Sequence, residues 1–258
     1  MATIISIVNQ KGGVGKSTSA YNISSVIAKQ GYKVLMIDMD PQASLTISCG
    51  FEPEECEKTI VDVMLKFVGN EKAKISETIL EVSENLFLVP SIIDLAASDT
   101  LLLQEMGRER ILKKKLEEVE DYFDFIFCDC PPSLNQLFIN SLVASKYVLI
   151  PVSCDYLSYR GLMMLDDTIG TVQDNLNEDL EVMGVIATFH NTTIHARENL
   201  DNLREKYKII GVVDTTVRAK DALYTGRALV DAYPENKVAE QYKKIAEEVM
   251  TWQTKEQA

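Results

Sequence analysis

A glycine-rich stretch near the start of the chain has the residue types of a phosphate-binding loop. Residues 7–18 read IVNQKGGVGKST, in which Gly15, Lys16 and Ser17 form the end of the pattern G-x-x-x-x-G-K-[ST]. Glycines let backbone N–H groups curl around phosphate oxygens, and the N-terminus of the following helix adds a partial positive charge. In this pattern the lysine reaches the β- and γ-phosphates and the serine hydroxyl ligates Mg²⁺. The stretch predicts a site for nucleotide phosphates.

The loop departs from the general pattern at two positions. The first glycine of the pattern belongs at position 10, which is Gln10, and a second lysine, Lys11, lies inside the loop. The general pattern gives no reason for two lysines in one phosphate site.

Three aspartates follow apolar runs that predict buried strands. Asp38 and Asp40 end the run KVLMIDMD, and Asp129 ends FDFIFCD. Ligands bind at the carboxyl ends of parallel strands, and alternate residues share a strand face, so we expect Asp38 and Asp40 side by side. An aspartate like Asp129, after an apolar strand and beside a phosphate loop, is typical of an acid that holds Mg²⁺. Pro131 and Pro132 then indicate a stiff segment, either a phosphate-sensing switch or a plain turn.

Short apolar runs alternate with longer helical patterns along the chain. Most runs are apolar throughout, which is typical of strands buried on both faces of a parallel sheet. We expect strands at 3–8, 33–38, 86–89, 123–129, 147–152, 181–188 and 208–213, and helices at about 17–29, 99–119, 135–144, 157–176, 196–206 and 236–251. The stretch 50–80 is the least regular, and we expect it to lie outside the sheet. The apolar stripe of the last helix predicts that this helix packs into the core. The pattern predicts an α/β fold, a single-domain, doubly wound, mostly parallel sheet over 1–258 with helices on both faces.

The composition limits the class of protein. The chain has 258 residues, 46% of them hydrophobic, which is enough for one large core. No apolar run approaches the roughly 18–20 residues of a membrane span, nothing resembles a signal peptide, and the five cysteines are scattered, so we expect a soluble, cytoplasmic protein with reduced thiols. The net charge of −13 argues against a strongly basic nucleic-acid binder but allows a local basic face.

The segment KGGVGKST also fits the deviant Walker A signature x-K-G-G-x-x-K-[ST]. Together with DMDPQAS, LVPSIIDLAASD, DFIFCDCPPS, IPVSCDYLSYRGL, GVIATF and GRALVDAYPENKVAEQY, it resembles the ParA/Soj partition ATPases from about residue 2 to 250. The resemblance implies a P-loop ATPase that uses ATP and ADP with Mg²⁺ and forms a homodimer on ATP. It also explains the second lysine, because in this family the residue matching Lys11 crosses the dimer interface to the partner subunit's nucleotide, where it would offset phosphate charge.

The resemblance assigns the remaining site residues by position. It implies that Lys16 binds the phosphates, that Asp40 positions the attacking water with Asp38 supporting the metal region, and that Asp129 is the Walker B acid. The catalytic residues would be Lys11, Lys16 and Asp40; the nucleotide would contact Lys11, Gly12, Gly13, Val14, Gly15, Lys16, Ser17, Thr18, Thr188, Phe189, Asp214 and Thr215, and Mg²⁺ would contact Ser17, Asp38, Asp40 and Asp129. The chain departs from the family at 214–216, where DTT replaces the common Pro-Arg-Asn near the adenine.

Family members bind double-stranded DNA without sequence preference as ATP dimers, and a ParB-type DNA-binding partner stimulates their turnover. The basic residues of the corresponding region are Arg197, Arg204, Lys206, Lys208, Arg218 and Lys220, of which we choose Arg218 and Lys220 as the DNA-binding candidates. The window 195–220 has a net charge of only 6 − 4 = +2, so a solvated face of mixed charge is the alternative. The resemblance implies association with the nucleoid and no membrane partner.

The sequence disfavours other members of the superfamily. A MinD-like membrane-cycling ATPase should end in a basic amphipathic helix and a bacterial tyrosine kinase in a tyrosine cluster, whereas this chain ends MTWQTKEQA. An iron–sulfur reductase would carry cluster cysteines on loops, but Cys128 and Cys130 lie in an apolar run and read as core. His190 and His195 read as structural or surface residues. An ATP-gated dimeric scaffold that positions a protein or membrane partner without binding DNA remains the alternative.

Overall fold

The computed structural model describes residues 1–65, 72–154, 158–191 and 193–254. Within these ranges the strands are β1 Thr3–Ile7, β2 Val34–Asp38, β3 Leu80–Ser83, β4 Leu86–Val89, β5 Phe125–Asp129, β6 Tyr147–Ser153, β7 Glu181–His190 and β8 Ile209–Asp214. The α-helices are α1 Lys16–Lys29, α2 Ser44–Ser48, α3 Ile60–Met64, α4 Ser98–Leu101, α5 Ile111–Leu116, α6 Gln136–Ala144, α7 Ser158–Asn175, α8 Ile194–Lys206, α9 Arg218–Leu223, α10 Leu229–Ala232 and α11 Lys237–Thr254. Residues 155–157 of the motif IPVSCDYLSYRGL lie outside the described residues.

The strands form one sheet in the order β3-β4-β2-β5-β1-β6-β7-β8. All pairings are parallel except that of β3 with β4. The central strands β1, β2, β5 and β6 are buried at every residue, as continuous apolar runs predict. All seven expected strands form, and the predicted α/β class is confirmed.

Helices cover both faces of the sheet, and each face has its own apolar core. One core joins the sheet to α1, α10 and α11, and its members include Ile23, Ile27, Leu229, Tyr242 and Ile245. The other joins it to α3, α5, α6 and α7, and its members include Ile60, Leu116, Phe138, Leu142 and Leu165. The prediction that the last helix packs into the core is confirmed, because its apolar stripe is buried.

Three features differ from the sequence prediction. The helix expected over 99–119 is broken into short pieces, because Gly107 takes a left-handed φ of 67° and α5 starts only at Ile111. The edge strand β3 was not expected, since its four residues alternate between half-buried and exposed and show no apolar run. Helices α9 and α10 are only six and four residues long, too short for a readable helical period.

Candidate functional site

The glycine loop lies between the end of β1 and the start of α1, at the carboxyl edge of the sheet. Gly13 and Gly15 have positive φ angles of 71° and 88°, and Gly15 directly precedes the first turn of α1. Side chains with a Cβ are strained in that conformation, which explains the glycines. The loop therefore delivers the chain to a helix N-terminus whose free N–H groups favour an anion.

Asn9 fastens the loop to β6. Its buried amide donates to the Pro151 carbonyl at 2.7 Å, and its Oδ1 accepts the backbone N–H of Lys11 at 2.9 Å. The Lys11 ammonium in turn donates to the Ser153 hydroxyl of the same chain at 3.3 Å. Asn9 is not among the residues predicted from the sequence, although a polar residue directly after a buried apolar strand is the signal that could have identified it.

Asp129 is a buried carboxylate whose oxygens lack hydrogen bonds. It ends β5, beside Asp38 of β2 and Ile7 of β1 in the sheet register. Among the residues that the structure describes, neither Oδ1 nor Oδ2 has a partner of hydrogen-bond geometry, although Asp129 is fully buried. Burial raises the pKa of Asp129 well above its usual range and the Asp38 charge adds to this, while the nearby Ser17 hydroxyl and Lys16 ammonium oppose the shift. A bound divalent cation would give this carboxylate a positively charged partner.

Asp38 is equally buried but fully hydrogen-bonded. Its Oδ2 accepts the N–H and the hydroxyl of Thr46, both at 2.8 Å, and its Oδ1 accepts the N–H of Asp40 at 3.2 Å. Burial raises the pKa of Asp38 to about 7, because these hydrogen bonds offset only part of the desolvation. Since β2 ends at Asp38, the prediction that the two aspartates share one strand face is wrong. Asp40 lies half-buried in the loop beyond the strand, and Asp38 anchors that loop.

The protein carboxylates do not form a metal site by themselves. Among the described residues, no three His, Cys, Asp or Glu side chains gather closely enough to hold a metal ion. Mg²⁺ commonly takes one or two carboxylates and completes its coordination with waters and substrate phosphates. A single unsatisfied carboxylate, Asp129, beside Ser17 and a phosphate loop fits that kind of site, in which the nucleotide supplies further ligands.

A pocket lies next to the glycine loop, where β7 and β8 meet α1 and α11. Its lining consists of Gly15, Thr18, Thr188, Phe189, Val213, Asp214, Thr216, Ala219, Val238 and Tyr242. The Thr188 hydroxyl fixes one wall by donating to the Val14 carbonyl at 2.9 Å. The pocket thus joins two residues predicted for the phosphate end, Gly15 and Thr18, to residues predicted for the base end.

One of the residues predicted for the base end lies away from this pocket. Thr188, Phe189 and Asp214 line the pocket as expected, but Thr215 does not. Thr215 is exposed, and its backbone N–H donates to the His190 carbonyl at 3.1 Å. The next residue, Thr216, lines the pocket in its place.

Comparison with known proteins identifies the family. A family model described as an AAA domain matches residues 2–182. The sporulation initiation inhibitor protein Soj of Bacillus subtilis (strain 168) is 37% identical, over 96% of this chain and 98% of its own length. The chromosome-partitioning ATPase Soj of Treponema pallidum (strain Nichols) is 34% identical, over 97% of this chain and 98% of its own. The chain belongs to the ParA/Soj family of partition ATPases.

A solved structure supports the same fold for this ParA/Soj ATPase. Cobyrinic acid a,c-diamide synthase from Mycobacterium smegmatis, with bound ADP and magnesium, is 31% identical with a TM-score of 0.81, covering 96% of this chain and 93% of that chain. The P-loop NTPase fold predicted from the sequence is therefore confirmed. In the part of the chain that the structure describes, no helix combines the length and apolarity needed to cross a bilayer.

The candidate DNA-binding residues of this ParA/Soj chain differ in their surroundings. Arg218 forms an ion pair with Asp221 at 3.2 Å, whereas Lys220 is an exposed residue in the first turn of α9. Two other basic residues of the region, Arg204 and Lys208, are also paired with carboxylates of the chain, at 3.0 Å and 2.7 Å. The basic region is thus partly neutralised by the chain's own acids.

Proposed function

We propose that this chain is a Mg²⁺-dependent ATPase that dimerises on ATP, hydrolyses it to ADP and phosphate, and uses this cycle to partition or position plasmid or chromosomal DNA. The proposal treats residues 1–258 as one ATPase domain that acts in the cytoplasm at the nucleoid, with a ParB-type DNA-binding protein as its partner. The observation that carries it is the pair of unsatisfied Asp129 oxygens, buried near Lys16 and Ser17 at the start of α1. A buried carboxylate without partners is costly, and a magnesium nucleotide at this position would remove that cost.

Each polar group of the phosphate end has a role in this proposal. The loop would bind phosphates through its backbone N–H groups and the Lys16 ammonium. Ser17 and Asp129 would hold Mg²⁺, which neutralises phosphate charge when bound. Asp40, half-buried beyond the end of β2, would orient the attacking water, and Asp38 would fix its position by accepting its N–H. The assignment follows family position together with this geometry.

Lys11 would act across the dimer interface. In the single chain its ammonium donates to Ser153, so reaching the partner's nucleotide requires a change of hydrogen-bond partner. We expect Lys11→Ala to bind ATP as a monomer, and sedimentation velocity with ATP measures this directly. Ser153→Ala is the matched control, because it removes the same hydrogen bond but keeps the ammonium, and it should still dimerise. Dimerisation of Lys11→Ala like the wild type would contradict the role in trans.

The DNA output is tested by co-sedimentation with double-stranded DNA, with ADP and with ATP, across a series of salt concentrations. Retention only with ATP, weakened steeply by salt, is the expected result, because each phosphate contact releases counterions. The double variant Arg218→Ala with Lys220→Ala should lower retention. Lys58→Ala is the control, since Lys58 pairs with Glu77 in the stretch 50–80. An ATP dimer that is not retained on DNA at low salt would contradict the DNA output.

One observation favours a second function, an ATP-gated dimer that positions a protein partner without binding DNA. The chain carries 39 acidic against 26 basic residues. Several basic residues of the candidate DNA face, among them Arg204, Lys208 and Arg218, are already paired with carboxylates. The same co-sedimentation experiment separates the two functions, because only the DNA-partition reading predicts ATP-dependent retention.

A further inference from the structure

The pocket beside the loop contains a carboxylate that could select between nucleotide bases. Asp214 ends β8 and lines the pocket together with Thr188 and Thr216. A carboxylate only accepts hydrogen bonds. The Watson–Crick edge of guanine offers two adjacent donors, N1–H and the N2 amino group, whereas that of adenine pairs one donor with one acceptor. A free carboxylate in a base pocket therefore favours guanine.

Asp214 is not free, because both of its oxygens contact other side chains. Its Oδ1 contacts Nδ1 of His190 at 3.2 Å, and its Oδ2 forms an ion pair with Nζ of Lys237. Its backbone N–H donates to Oε1 of Gln241 at 2.9 Å, which ties the end of β8 to α11. Burial alone would raise the pKa of Asp214, but the hydrogen bonds from Lys237, His190 and Gln241 outweigh it and lower the pKa. The carboxylate is therefore charged and engaged within the protein.

The position of Lys237 is unusual for a lysine. It is the first residue of α11, where the helix dipole disfavours positive charge. Its side chain is 79% exposed, yet the ammonium reaches back to the carboxylate at the end of β8. Lys243, on the same helix, instead pairs with Glu240 one turn away. The ion pair with Asp214 thus offsets the unfavourable position of the Lys237 charge at the helix N-terminus.

We infer that Lys237 is a specificity-determining residue for the base. By holding Oδ2 of Asp214, with His190 on Oδ1, it withholds the carboxylate from the donors of guanine and leaves the pocket to adenine. The inference rests on the proposed function, because it places the base of the nucleotide in this pocket. Removing Lys237 exposes Oδ2 as an acceptor for guanine.

The test compares the dissociation constants of ATP and GTP for the wild type, Lys237→Ala and the control Lys243→Ala, by isothermal titration calorimetry with Mg²⁺. The wild type and Lys243→Ala should prefer ATP equally. In Lys237→Ala we expect the preference to shrink about tenfold, mainly through tighter GTP binding, which is the scale of one charge-assisted hydrogen bond. Adding Asp214→Asn to Lys237→Ala should restore the preference, because an amide cannot offer two equivalent acceptors.

Two results would overturn the inference. One is an unchanged preference in Lys237→Ala with ATP affinity intact. The other is a loss of ATP and GTP affinity by equal factors, because a merely structural role of Lys237 would produce it. A wild-type chain that binds neither nucleotide would instead overturn the proposed function itself, and with it any base specificity, so the two failures are distinguishable.

Discussion

The phosphate end and the base end of the candidate nucleotide site differ in how the protein satisfies a carboxylate. At the phosphate end, Asp129 is fully buried, and neither of its oxygens has a hydrogen-bond partner in the described part of the chain. At the base end, Asp214 has a partner on each oxygen, His190 and Lys237. A charge left without a partner marks where the charge of a ligand is needed, since leaving it unmet is costly. A charge that is already paired within the protein instead holds its side chain in place in the pocket wall. Such a wall can select the uncharged base of a nucleotide by its hydrogen-bonding groups.

The largest effect is expected at the phosphate end, from Lys16→Ala. The ammonium is buried and close to Asp129, so its removal takes away a desolvated cation that the phosphates would contact. Breaking a buried charge contact costs about 3 kcal/mol or more, so ATP affinity should fall by more than about 100-fold. Titration calorimetry measures this loss.

Lys29→Ala is the matched control for Lys16→Ala. Lys29 is the last residue of the same helix, and its exposed ammonium pairs with Asp231 far from the loop. ATP affinity in this variant should equal that of the wild type. Normal ATP affinity in Lys16→Ala would contradict the assignment of the glycine loop as the phosphate-binding site.

The two strands that end at the base pocket, β7 and β8, approach closely near their starts, and Gly184→Ala tests this packing. A Cβ on Gly184 would lie 2.5 Å from the Lys208 carbonyl oxygen, at a φ of 148° that disfavours side chains. Overpacking and backbone strain together should lower the free energy of unfolding by about 3 kcal/mol. Gly170→Ala is the control, because Gly170 lies in α7 and a Cβ added there would have no described atom within 4 Å beyond its own helix backbone and chain neighbours. Alanine at this position should raise the free energy of unfolding by up to about 1 kcal/mol. Equal urea midpoints for the two variants would contradict the packing argument.

The two neighbouring strand-end aspartates sharpen the comparison within the phosphate end. Asp38→Asn should lower the free energy of unfolding by about 1–3 kcal/mol, because an amide must face either Thr46 or the Asp40 N–H with a donor instead of an acceptor. Asp129→Asn breaks no hydrogen bond to the described residues and removes an unpaired buried charge, so stability without ligand should be unchanged or higher, by up to about 2 kcal/mol.

For the stabilisation gained on binding Mg²⁺ and ATP, we expect the larger loss in Asp129→Asn. Stabilisation by Mg²⁺ and ATP should persist in part in Asp38→Asn and disappear in Asp129→Asn. The Asp38 oxygens already accept hydrogen bonds from Thr46 and Asp40, whereas those of Asp129 accept none from the described residues. Thermal unfolding with and without Mg²⁺–ATP measures both quantities. Equal losses of stability in the two variants without ligand would show that Asp129 has protein partners after all.

The phosphate end could be predicted from the sequence because its chemistry is local. The glycines of the loop and the first residues of α1, Lys16 and Ser17, lie within one short stretch. The left-handed conformations of Gly13 and Gly15 follow from residue type. The strand order places Asp129 next to that loop, and continuous apolar runs were enough to indicate the sheet. The missing pieces, such as Asn9, act through distant partners like Pro151 that no short motif contains.

The base end could not be predicted to the residue, because it depends on how β7 pairs with β8. That pairing contains two irregularities in register, one of them between Ala187 and His190. Beyond the second irregularity the Thr215 N–H donates to the His190 carbonyl, and there Thr215 is exposed while Thr216 lines the pocket. A shift of one residue at a strand end is invisible to composition and periodicity, although it exchanges an exposed side chain for one that lines a site.

The smallest expected effect tests this one-residue shift. Thr216→Ala should weaken ATP binding a few-fold, about 0.5–1 kcal/mol, because Thr216 lines the pocket and its hydroxyl also accepts the Arg218 N–H at 3.3 Å. Thr215→Ala is the matched control, an identical change at an exposed neighbour whose recorded contact is made by its backbone, and it should leave the affinity unchanged. A larger loss in Thr215→Ala than in Thr216→Ala would place the base against Thr215, as the sequence alone suggested, and would mean that the end of β8 rearranges when nucleotide binds.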